Sequence, residues 1–295
     1  MKPKPDATIA LKPTLPFDFD LSSRINRLDK DYTHSAYFEN TLYKCLEIEE
    51  KSSLISIKEK DNILKANLYG TNLERLEKTA NWILSADLDL TPFYSTKDKV
   101  MTSLLETLYG LKPPRTASIY EAVVIAITEQ QISLKVALIL QSRLVKRYGS
   151  EYKFGQQTFY SFPTPKRLAS VDIADLRQLG LSRNKATFIS DISRELASGA
   201  LDLESLKNDP TDKAREKLLA LRGVGPWTAN YVLIRGFGKT DMVPYDDLGI
   251  RDSVGLFYKD GDRVSSDEAE EILSRFGKYE GIASYYLIYA RFQRT

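Results

Sequence analysis

Two adjacent carboxylates stand where a helix is expected to begin, in the segment Met242-Val243-Pro244-Tyr245-Asp246-Asp247. A helix start explains such a pair without any chemistry, since Asp246 can cap the helix while Asp247 complements its dipole. The same position also keeps a carboxylate ionised and directs it outwards, as the stabilisation of a developing cation requires. The residue types alone leave both interpretations open.

A Gly-x-Gly turn, Gly223-Val224-Gly225, precedes these carboxylates by about one helix. One predicted helix ends at Gly223 and the next begins at Pro226, where the missing N–H of proline is tolerated. Two glycines around a small apolar residue let a ligand approach the backbone closely, and the next helix presents free N–H groups. This helix–hairpin–helix, at about residues 212–235, suits a DNA phosphate, although an ordinary interhelical loop explains the turn equally well.

Two aromatic residues, Trp227 and Tyr231, follow the turn and are four residues apart. That spacing places both rings on one face of a helix, where they can line one cavity or pack in a helical core. An electron-rich ring face attracts a cationic base through stacking and cation–π interactions, on the order of 1–3 kcal/mol. The spacing by itself favours core packing.

The elements that must position these residues differ between the two parts of the chain. Three runs alternate between apolar and polar residues and predict an antiparallel meander over 42–48, 54–57 and 63–68. A similar run over 17–21 predicts an edge strand, and Asn72 is expected to cap a helix. Residues 1–95 are therefore predicted to form an α+β domain with an antiparallel sheet.

From about Ser95 onward the apolar residues recur with helical spacing. The long segment 118–148 is interrupted at Glu129-Gln130-Gln131, and Ser133 offers a new N-cap. No strand-like alternation is evident here, so residues 96–295 are predicted to be an all-α domain and the fold class to be α+β. Further helices are expected at about 165–178, 184–198, 212–221, 226–235, 247–257, 266–276 and 279–292.

The composition excludes several classes of protein. The 295 residues include 42 Lys and Arg against 40 Asp and Glu, for a net charge of +2, which neither demands nor forbids nucleic acid. One cysteine, Cys45, and one histidine, His34, exclude a four-cysteine zinc or iron–sulfur site and a His-rich metal centre. No apolar run approaches a membrane span and no signal core follows the N-terminus, so a cytoplasmic location is expected.

Taken together, the hairpin and the following aspartate resemble the helix–hairpin–helix DNA glycosylase superfamily. Within it the similarity is to the alkylation-repair branch, 3-methyladenine DNA glycosylase II, and it extends over about 180 residues. The N-terminal α+β region matches that branch in architecture only. The motifs that follow the branch in order are Tyr109-Gly110-Leu111-Lys112, Glu129-Gln130-Gln131-Ile132-Ser133, Phe162-Pro163-Thr164-Pro165, Leu179-Gly180-Leu181 with Lys185-Ala186, and Trp227-Thr228-Ala229-Asn230-Tyr231.

The resemblance implies a role for each matched residue. The catalytic aspartate falls on Asp247, which Leu-Gly-Ile-Arg follows, although alignment on Pro244 alone would select Asp246. Gly223, Val224 and Gly225 match the phosphate-binding hairpin. Gln130 matches a pocket-lining position, and Gln131 matches the side chain that fills the gap left in the duplex. Trp227 and Tyr231 are then expected to line the base pocket.

The resemblance also implies an activity. We expect a monomeric enzyme that flips alkylated purines out of double-stranded DNA and hydrolyses their N-glycosidic bond, with no cofactor, metal or membrane. Relatives that cut the strand carry a lysine where this chain has Trp227, so a monofunctional glycosylase that leaves an abasic site is expected. No general acid is evident in the matched motifs. None is needed for bases that are already cationic in the nucleotide, such as 3-methyladenine and 7-methylguanine, because such a base leaves as a neutral molecule.

Two other activities remain open at this point: a glycosylase for a neutral oxidised or deaminated base, and a non-catalytic protein that binds damaged DNA. The last wall of the pocket is undefined because the final helix lacks the Arg-Ser and tryptophan frequent in the branch. Tyr285, Tyr286 and Tyr289 stand there instead, and at least two of them are expected to pack in the core. His34 is expected at the surface and Cys45 in a buried strand.

Overall fold

The computed structural model describes residues 2–24 and 34–294. Its N-terminal part is a five-stranded antiparallel sheet with the strand order β1-β5-β4-β3-β2. The strands are β1 (Ala7–Leu11), β2 (Ser35–Phe38), β3 (Thr41–Ile48), β4 (Lys51–Lys60) and β5 (Ile63–Tyr69).

The predicted meander is confirmed as β3, β4 and β5. Its register pairs Leu42 with Ile57 and Ile57 with Ala66, so that apolar side chains of neighbouring strands meet on one buried face. The predicted edge strand at 17–21 is wrong. There the short helix α1 (Phe19–Ser23) forms, because the carboxylate of Asp18 accepts the Leu21 backbone N–H at 2.7 Å and caps it.

One face of the sheet packs against helix α2 (Leu73–Ile83), and together they enclose a core that includes Leu76 and Ala80. Asn72 caps this helix as expected, since its side chain accepts the backbone N–H of Arg75 at 3.2 Å. The N-terminal part is thus α+β, as the patterning predicts.

The rest of the described chain is mainly helical. Ser118 and Ser133 both act as N-caps, and between them Gln131 adopts a positive φ of 55°, which confirms the predicted break in the long apolar segment. Short 3₁₀ turns cover Phe93–Ser95, Glu204–Asn208 and Ser274–Tyr279. The helices are α3 (Lys99–Leu108), α4 (Ile119–Glu129), α5 (Leu134–Tyr148), α6 (Pro165–Ala169), α7 (Ile173–Gln178), α8 (Arg183–Ser198), α9 (Thr211–Leu219), α10 (Pro226–Arg235), α11 (Leu248–Tyr258), α12 (Ser266–Leu273) and α13 (Glu280–Arg294).

A β-hairpin of strands β6 (Glu151–Phe154) and β7 (Gln157–Tyr160) interrupts these helices, which the sequence pattern does not predict. Its rings pack against the second face of the N-terminal sheet, where the ring centroids of Phe159 and Tyr43 are 5.1 Å apart. Two four-residue strands cannot bury an apolar face by themselves. The hairpin therefore depends on a sheet that is distant in sequence.

The helical part has two separate cores. Helices α4 to α10 enclose one, and α3 with α11, α12 and α13 encloses the other. The link between α10 and α11 joins the two, and it carries the segment that precedes the aspartates. The boundary of the N-terminal domain near residue 95 stays a prediction.

Candidate active site

The two glycines of the hairpin meet different requirements. Gly223 has a φ of +87°, and a Cβ there would overlap the ring of Phe188, so both conformation and packing require glycine. Gly225 is exposed, has an ordinary φ of −89°, and a Cβ would meet nothing within 4 Å. The surface at Gly225 is therefore open to a ligand that approaches the backbone closely.

Helix α10 begins directly after this open surface. Gly225 is its N-cap and provides no side chain to bond the first N–H groups, and Pro226 has no N–H to satisfy. By helix geometry the N–H groups of Trp227 and Thr228 also lack intrahelical acceptors. The hairpin thus presents backbone donors and the positive end of a helix dipole at one place, which favours an anion.

Gln130 connects the end of α4 to the hairpin. Its side-chain amide donates to the carbonyl of Gly223 at 3.0 Å and to the hydroxyl of Thr228 at 2.9 Å. The backbone carbonyl of Gln130 in turn accepts the ammonium of the buried Lys185 at 2.6 Å, and this amine also binds the carbonyl of Thr128 at 2.9 Å. Burial lowers the pKa of Lys185. In this arrangement Gln130 supports the turn, and its expected role in lining a pocket stays a prediction.

Gln131 lies at the tip between α4 and α5 and is exposed. Exposed apolar side chains follow it at Ile132, Leu134 and Val136. The expected role of Gln131 in filling a gap in the duplex stays a prediction, although its place at a projecting tip suits that role.

Both carboxylate oxygens of Asp247 are engaged. Oδ1 accepts the backbone N–H of Ile250 at 3.0 Å and so caps α11, and Oδ2 accepts the indole N–H of Trp227 at 2.7 Å. The interpretation in which Asp246 caps the helix is wrong, since Asp246 is exposed and instead accepts the hydroxyl of Ser266 at 2.8 Å. Asp247 is therefore held from two sides at the junction of the two helical cores.

The aromatic pair on α10 lies next to this carboxylate. The ring centroids of Trp227 and Tyr231 are 5.5 Å apart with an interplanar angle of 35°, and both side chains are half-buried against the core of α4 to α10. The spacing rule that put both rings on one face is confirmed. The four-residue spacing does not predict that Trp227 contacts Asp247. That contact depends on the path of the chain between α10 and α11.

Sequence reasoning missed Glu129, the last residue of α4. Its Oε1 accepts the side-chain amide of Gln141 at 3.3 Å. Burial raises the pKa of Glu129 to about 7, with the Gln141 hydrogen bond and Arg235 opposing the shift and the charge of Asp247 adding to it. Its signal in the sequence is a carboxylate that closes α4 after the apolar run 122–127 and stands directly before Gln130.

Two further polar groups of this region are buried without a hydrogen-bond partner in the described chain: Nε of Arg235 and the hydroxyl of Tyr285. Burial raises the pKa of Tyr285 and Arg235 opposes it, which places the two side chains near each other. Burial also raises the pKa of Tyr231, to which Glu129 adds. Asp247 thus interacts with Glu129 of α4, which in turn interacts with Arg235 and Tyr231 of α10.

The tyrosines of α13 divide as expected. Tyr286 and Tyr289 are buried in the core, where their hydroxyls donate to the carbonyls of Leu111 at 2.7 Å and Leu21 at 3.0 Å. Tyr285 is half-buried and is the one of the three that stands near Arg235.

The single histidine was expected at the surface, which is wrong. His34 is buried, and its Nε2 lies 3.1 Å from Oε1 of Glu121, which also accepts the Lys44 ammonium at 2.6 Å. Burial, and next the charge of Lys44, lower the pKa of His34 to about 4. This buried cluster joins β3 to α4 and lies in a different place from Asp247. Cys45 lies in a buried strand as expected.

Within residues 2–24 and 34–294, no group of three or more His, Cys, Asp or Glu side chains could hold a metal ion. None of the helices described in that part of the chain is long and apolar enough to cross a membrane.

Comparison with known proteins places this geometry in a family. The profile described as HhH-GPD superfamily base excision DNA repair protein matches residues 124–278. The DNA-3-methyladenine glycosylase of Bacillus subtilis (strain 168) is 29% identical over 93% of this chain and 94% of its own length.

Solved structures agree with this assignment. A 3-methyladenine DNA-glycosylase from Archaeoglobus fulgidus superposes with a TM-score of 0.85 at 27% identity, covering 97% of this chain and 99% of that one. An 8-oxoguanine glycosylase/lyase of Clostridium acetobutylicum, solved with double-stranded DNA, has a TM-score of 0.77 at 17% identity over 99% of this chain and 100% of that one, which shows the shared fold. The chain therefore belongs to the HhH-GPD superfamily of base excision DNA repair proteins, on its 3-methyladenine DNA glycosylase branch.

Proposed function

We propose that this protein hydrolyses the N-glycosidic bond of alkylated purines, of the 3-methyladenine and 7-methylguanine type, in double-stranded DNA. The product is an abasic site. The observation that carries the proposal is the contact of 2.7 Å between the indole N–H of Trp227 and Asp247. This contact holds a carboxylate next to an aromatic ring. Excision of a cationic base requires both, the carboxylate for the charge that develops on the sugar and the ring for stacking on the base.

Asp247 supplies the negative charge. Cleavage of the C1′–N bond builds positive charge on the deoxyribose, and a fixed carboxylate near C1′ stabilises that oxocarbenium-like state. The backbone N–H of Ile250 and the indole N–H of Trp227 hold both oxygens, so the carboxylate does not have to reorganise as charge develops. The same group positions the water that attacks C1′ and accepts its proton.

Trp227 and Tyr231 supply the face for the base. A purine methylated at N3 or N7 carries a positive charge in the nucleotide, and the negative faces of the two rings attract it. The base must leave the stack to reach them. Because a cationic base departs as a neutral molecule, its release requires no proton donor.

The hairpin supplies the grip on the DNA. The exposed Gly225 and the free N–H groups at the start of α10 suit a phosphate oxygen. Gln130 stabilises the turn through Gly223 and Thr228. Gln131 is exposed at the adjacent tip, and its proposed role is to fill the gap that the flipped base leaves in the duplex. Double-stranded DNA with a damaged base is thus the proposed partner of a protein that acts as a monomer in the cytoplasm.

We also propose that the enzyme is monofunctional. A lyase of this superfamily needs an amine at the position of Trp227 to form an imine with C1′, and an indole cannot do so. Lys185, the buried lysine behind the hairpin, directs its amine to the carbonyls of Thr128 and Gln130. Borohydride trapping of the protein on damaged DNA is expected to give no covalent complex, and a trapped complex would contradict this assignment.

The test of the proposed function is Asp247→Asn, with Asp246→Asn as the matched control. On DNA treated with a methylating agent, we expect Asp247→Asn to lower the single-turnover release of 3-methyladenine by about 10²–10³-fold, while DNA binding persists. Asp246→Asn is expected to retain the wild-type rate because Asp246 is exposed and bonds Ser266.

Other outcomes assign other functions. Loss of release in Asp246→Asn with a normal rate in Asp247→Asn would contradict the choice of aspartate. Release of only neutral oxidised or deaminated bases from a panel of lesion oligonucleotides would contradict the substrate class. Binding without any alkali-labile abasic sites would identify a non-catalytic damaged-DNA-binding protein.

A further inference from the structure

Glu129 carries a second carboxyl group of this region, and its charge interacts with those of Tyr231 and Asp247. It ends α4, which packs directly against α10, the helix that carries Trp227 and Tyr231. We propose that Glu129 is a further catalytic residue, which donates a proton to the departing base when that base is neutral. This inference rests on the proposed glycosylase function and extends it from cationic to neutral purine lesions.

The contacts of Glu129 suit a proton donor more than a fixed anion. In the described part of the chain its hydrogen-bond donor is the side-chain amide of Gln141, which reaches Oε1 at 3.3 Å. No lysine or arginine of that part forms an ion pair with it within 4.0 Å. Asp247, in contrast, accepts two N–H groups at 3.0 Å and 2.7 Å. The two carboxyl groups of the site therefore have opposite environments.

The groups around Glu129 come from four helices. Arg235 and Tyr231 face it from α10, Asp247 from the start of α11 and Gln141 from α5, while Lys185 of α8 binds the adjacent carbonyls. Burial disfavours the ionised carboxyl and the charge of Asp247 adds to this effect, so the pKa of Glu129 is raised to about 7. A substantial fraction of Glu129 is therefore protonated at neutral pH.

Two buried donors give the same indication: Arg235, whose charge acts on Glu129, and Tyr285, on which the charge of Arg235 acts. Nε of Arg235 and the hydroxyl of Tyr285 have no acceptor among the described residues. Buried donors of proteins nearly always have an acceptor, and an exception calls for an explanation. The ring nitrogens and carbonyl oxygen of a flipped purine are acceptors of the required kind. We therefore expect the edge of a bound purine to satisfy these donors while its face stacks on Trp227 and Tyr231.

Each bond and each proton of the proposed step is accounted for. The C1′–N9 bond of the neutral purine breaks, its electron pair goes to the base, and the carboxyl proton of Glu129 goes to a ring nitrogen. Water then attacks C1′ and gives a proton to Asp247, so that the products are the neutral base and the abasic site. Exchange with solvent returns the proton of Asp247 to bulk water and one from bulk water to Glu129.

The test compares two duplexes that differ in the charge of one base. One carries 7-methylguanine, which is cationic, and the other carries hypoxanthine, which is neutral and has free ring nitrogens. Single-turnover rates are measured from pH 5.5 to 8.5 for the wild-type protein, for Glu129→Gln, and for Glu106→Gln as the matched control. Glu106 is exposed on α3 and has the same chemistry at a distant place.

In the wild type we expect the rate of hypoxanthine release to fall about tenfold per pH unit above pH 7, because the protonated fraction of Glu129 falls there. Glu129→Gln is expected to lower hypoxanthine release by about 10²–10⁴-fold, as for loss of a general acid. Release of 7-methylguanine is expected to change by less than about threefold and to show no such pH limb, since that base needs no proton. Glu106→Gln is expected to match the wild type.

The outcomes separate this inference from the proposed function. Equal losses of both bases in Glu129→Gln would assign Glu129 a structural role, and hypoxanthine release without a limb near pH 7 would exclude it as the donor. If the wild type releases 7-methylguanine but never hypoxanthine, the inference fails while the proposed function stands. Release of neither base contradicts both. The wild-type pH profile keeps the test valid even if Glu129→Gln does not fold.

Discussion

Replacement of Trp227 by phenylalanine tests how Asp247 is held. The change removes the indole N–H, which lies 2.7 Å from Oδ2, and keeps an aromatic ring on the same face of α10. The second oxygen of Asp247 still accepts the Ile250 N–H at 3.0 Å, so the helix cap survives. The carboxylate should then rotate about its remaining contact and lose its fixed position relative to C1′.

The magnitude follows from the strength of that hydrogen bond. A hydrogen bond to a charged group contributes about 1.5–3 kcal/mol. Trp227 is half-buried, so water can replace part of the contact and the lower end, about 1.5–2 kcal/mol, applies. Since each 1.36 kcal/mol of barrier is tenfold in rate, we expect single-turnover release of 3-methyladenine to fall about 10- to 30-fold.

The assay is single-turnover base release, paired with a binding measurement on abasic DNA. Trp82→Phe is the matched control, because the indole N–H of Trp82 donates to the carbonyl of Thr116 at 2.9 Å, remote from the aspartate. Incorporation of benzothienylalanine at position 227 removes the N–H while it keeps the two-ring stacking face, which separates positioning from stacking. In an Asp247→Asn background, Trp227→Phe should cost much less than it does alone, since only the loss of stacking area remains.

Two results would refute this reasoning. If the benzothienyl variant retains the wild-type rate, the N–H contact does not position the carboxylate. If Trp227→Phe costs as much in the Asp247→Asn background as alone, the tryptophan acts through the base and not through the aspartate.

Further changes test the hairpin and the buried cluster. Gly225→Ala should fold with a normal Tm yet weaken duplex binding at least about tenfold, whereas Gly223→Ala should lower the Tm because its Cβ overlaps Phe188; equal Tm losses would contradict this. Glu121→Gln leaves the buried Lys44 ammonium unpaired and should cost about 3–5 kcal/mol in urea unfolding, and additional replacement of Lys44 by methionine should restore part of it. Because the folded protein lowers the pKa of His34 from 6.5 to about 4, unfolding takes up a proton, so stability should fall as the pH drops from 6.5 through 4 and less steeply in His34→Gln.

Local sequence signals predicted the elements that are stabilised locally. The caps at Ser133 and Asn72 each bond a backbone N–H three residues on, and their geometry depends on a few residues only. The same holds for the break at Gln131 and for the hairpin turn at Gly223, where a positive φ is required. These predictions are confirmed because the interactions that stabilise such features are within one turn of chain.

Tertiary contacts decided where local signals failed. The segment 17–21 forms helix α1, whose Phe19 packs against Tyr37 of β2 with ring centroids 5.9 Å apart. The strands β6 and β7 exist because the second face of the sheet covers their rings. Apolar alternation alone does not distinguish such cases, since partner surfaces distant in sequence supply the burial. The sequence predicts His34 at the surface, but the tertiary structure buries it against the carboxylate of Glu121 on α4.

For the candidate site, the sequence by itself determined the hairpin and the aromatic spacing, and it limited the catalytic aspartate to Asp246 or Asp247. It also determined the family, because ordered motifs over much of the chain are shared with its members. Only the tertiary structure decided that Trp227 bonds Asp247 and not Asp246, and that the half-buried Glu129 interacts with the charges of Arg235 and Asp247. The physical reason is that a carboxyl group has its chemistry set by donors and charges from several helices, and their convergence is a property of packing.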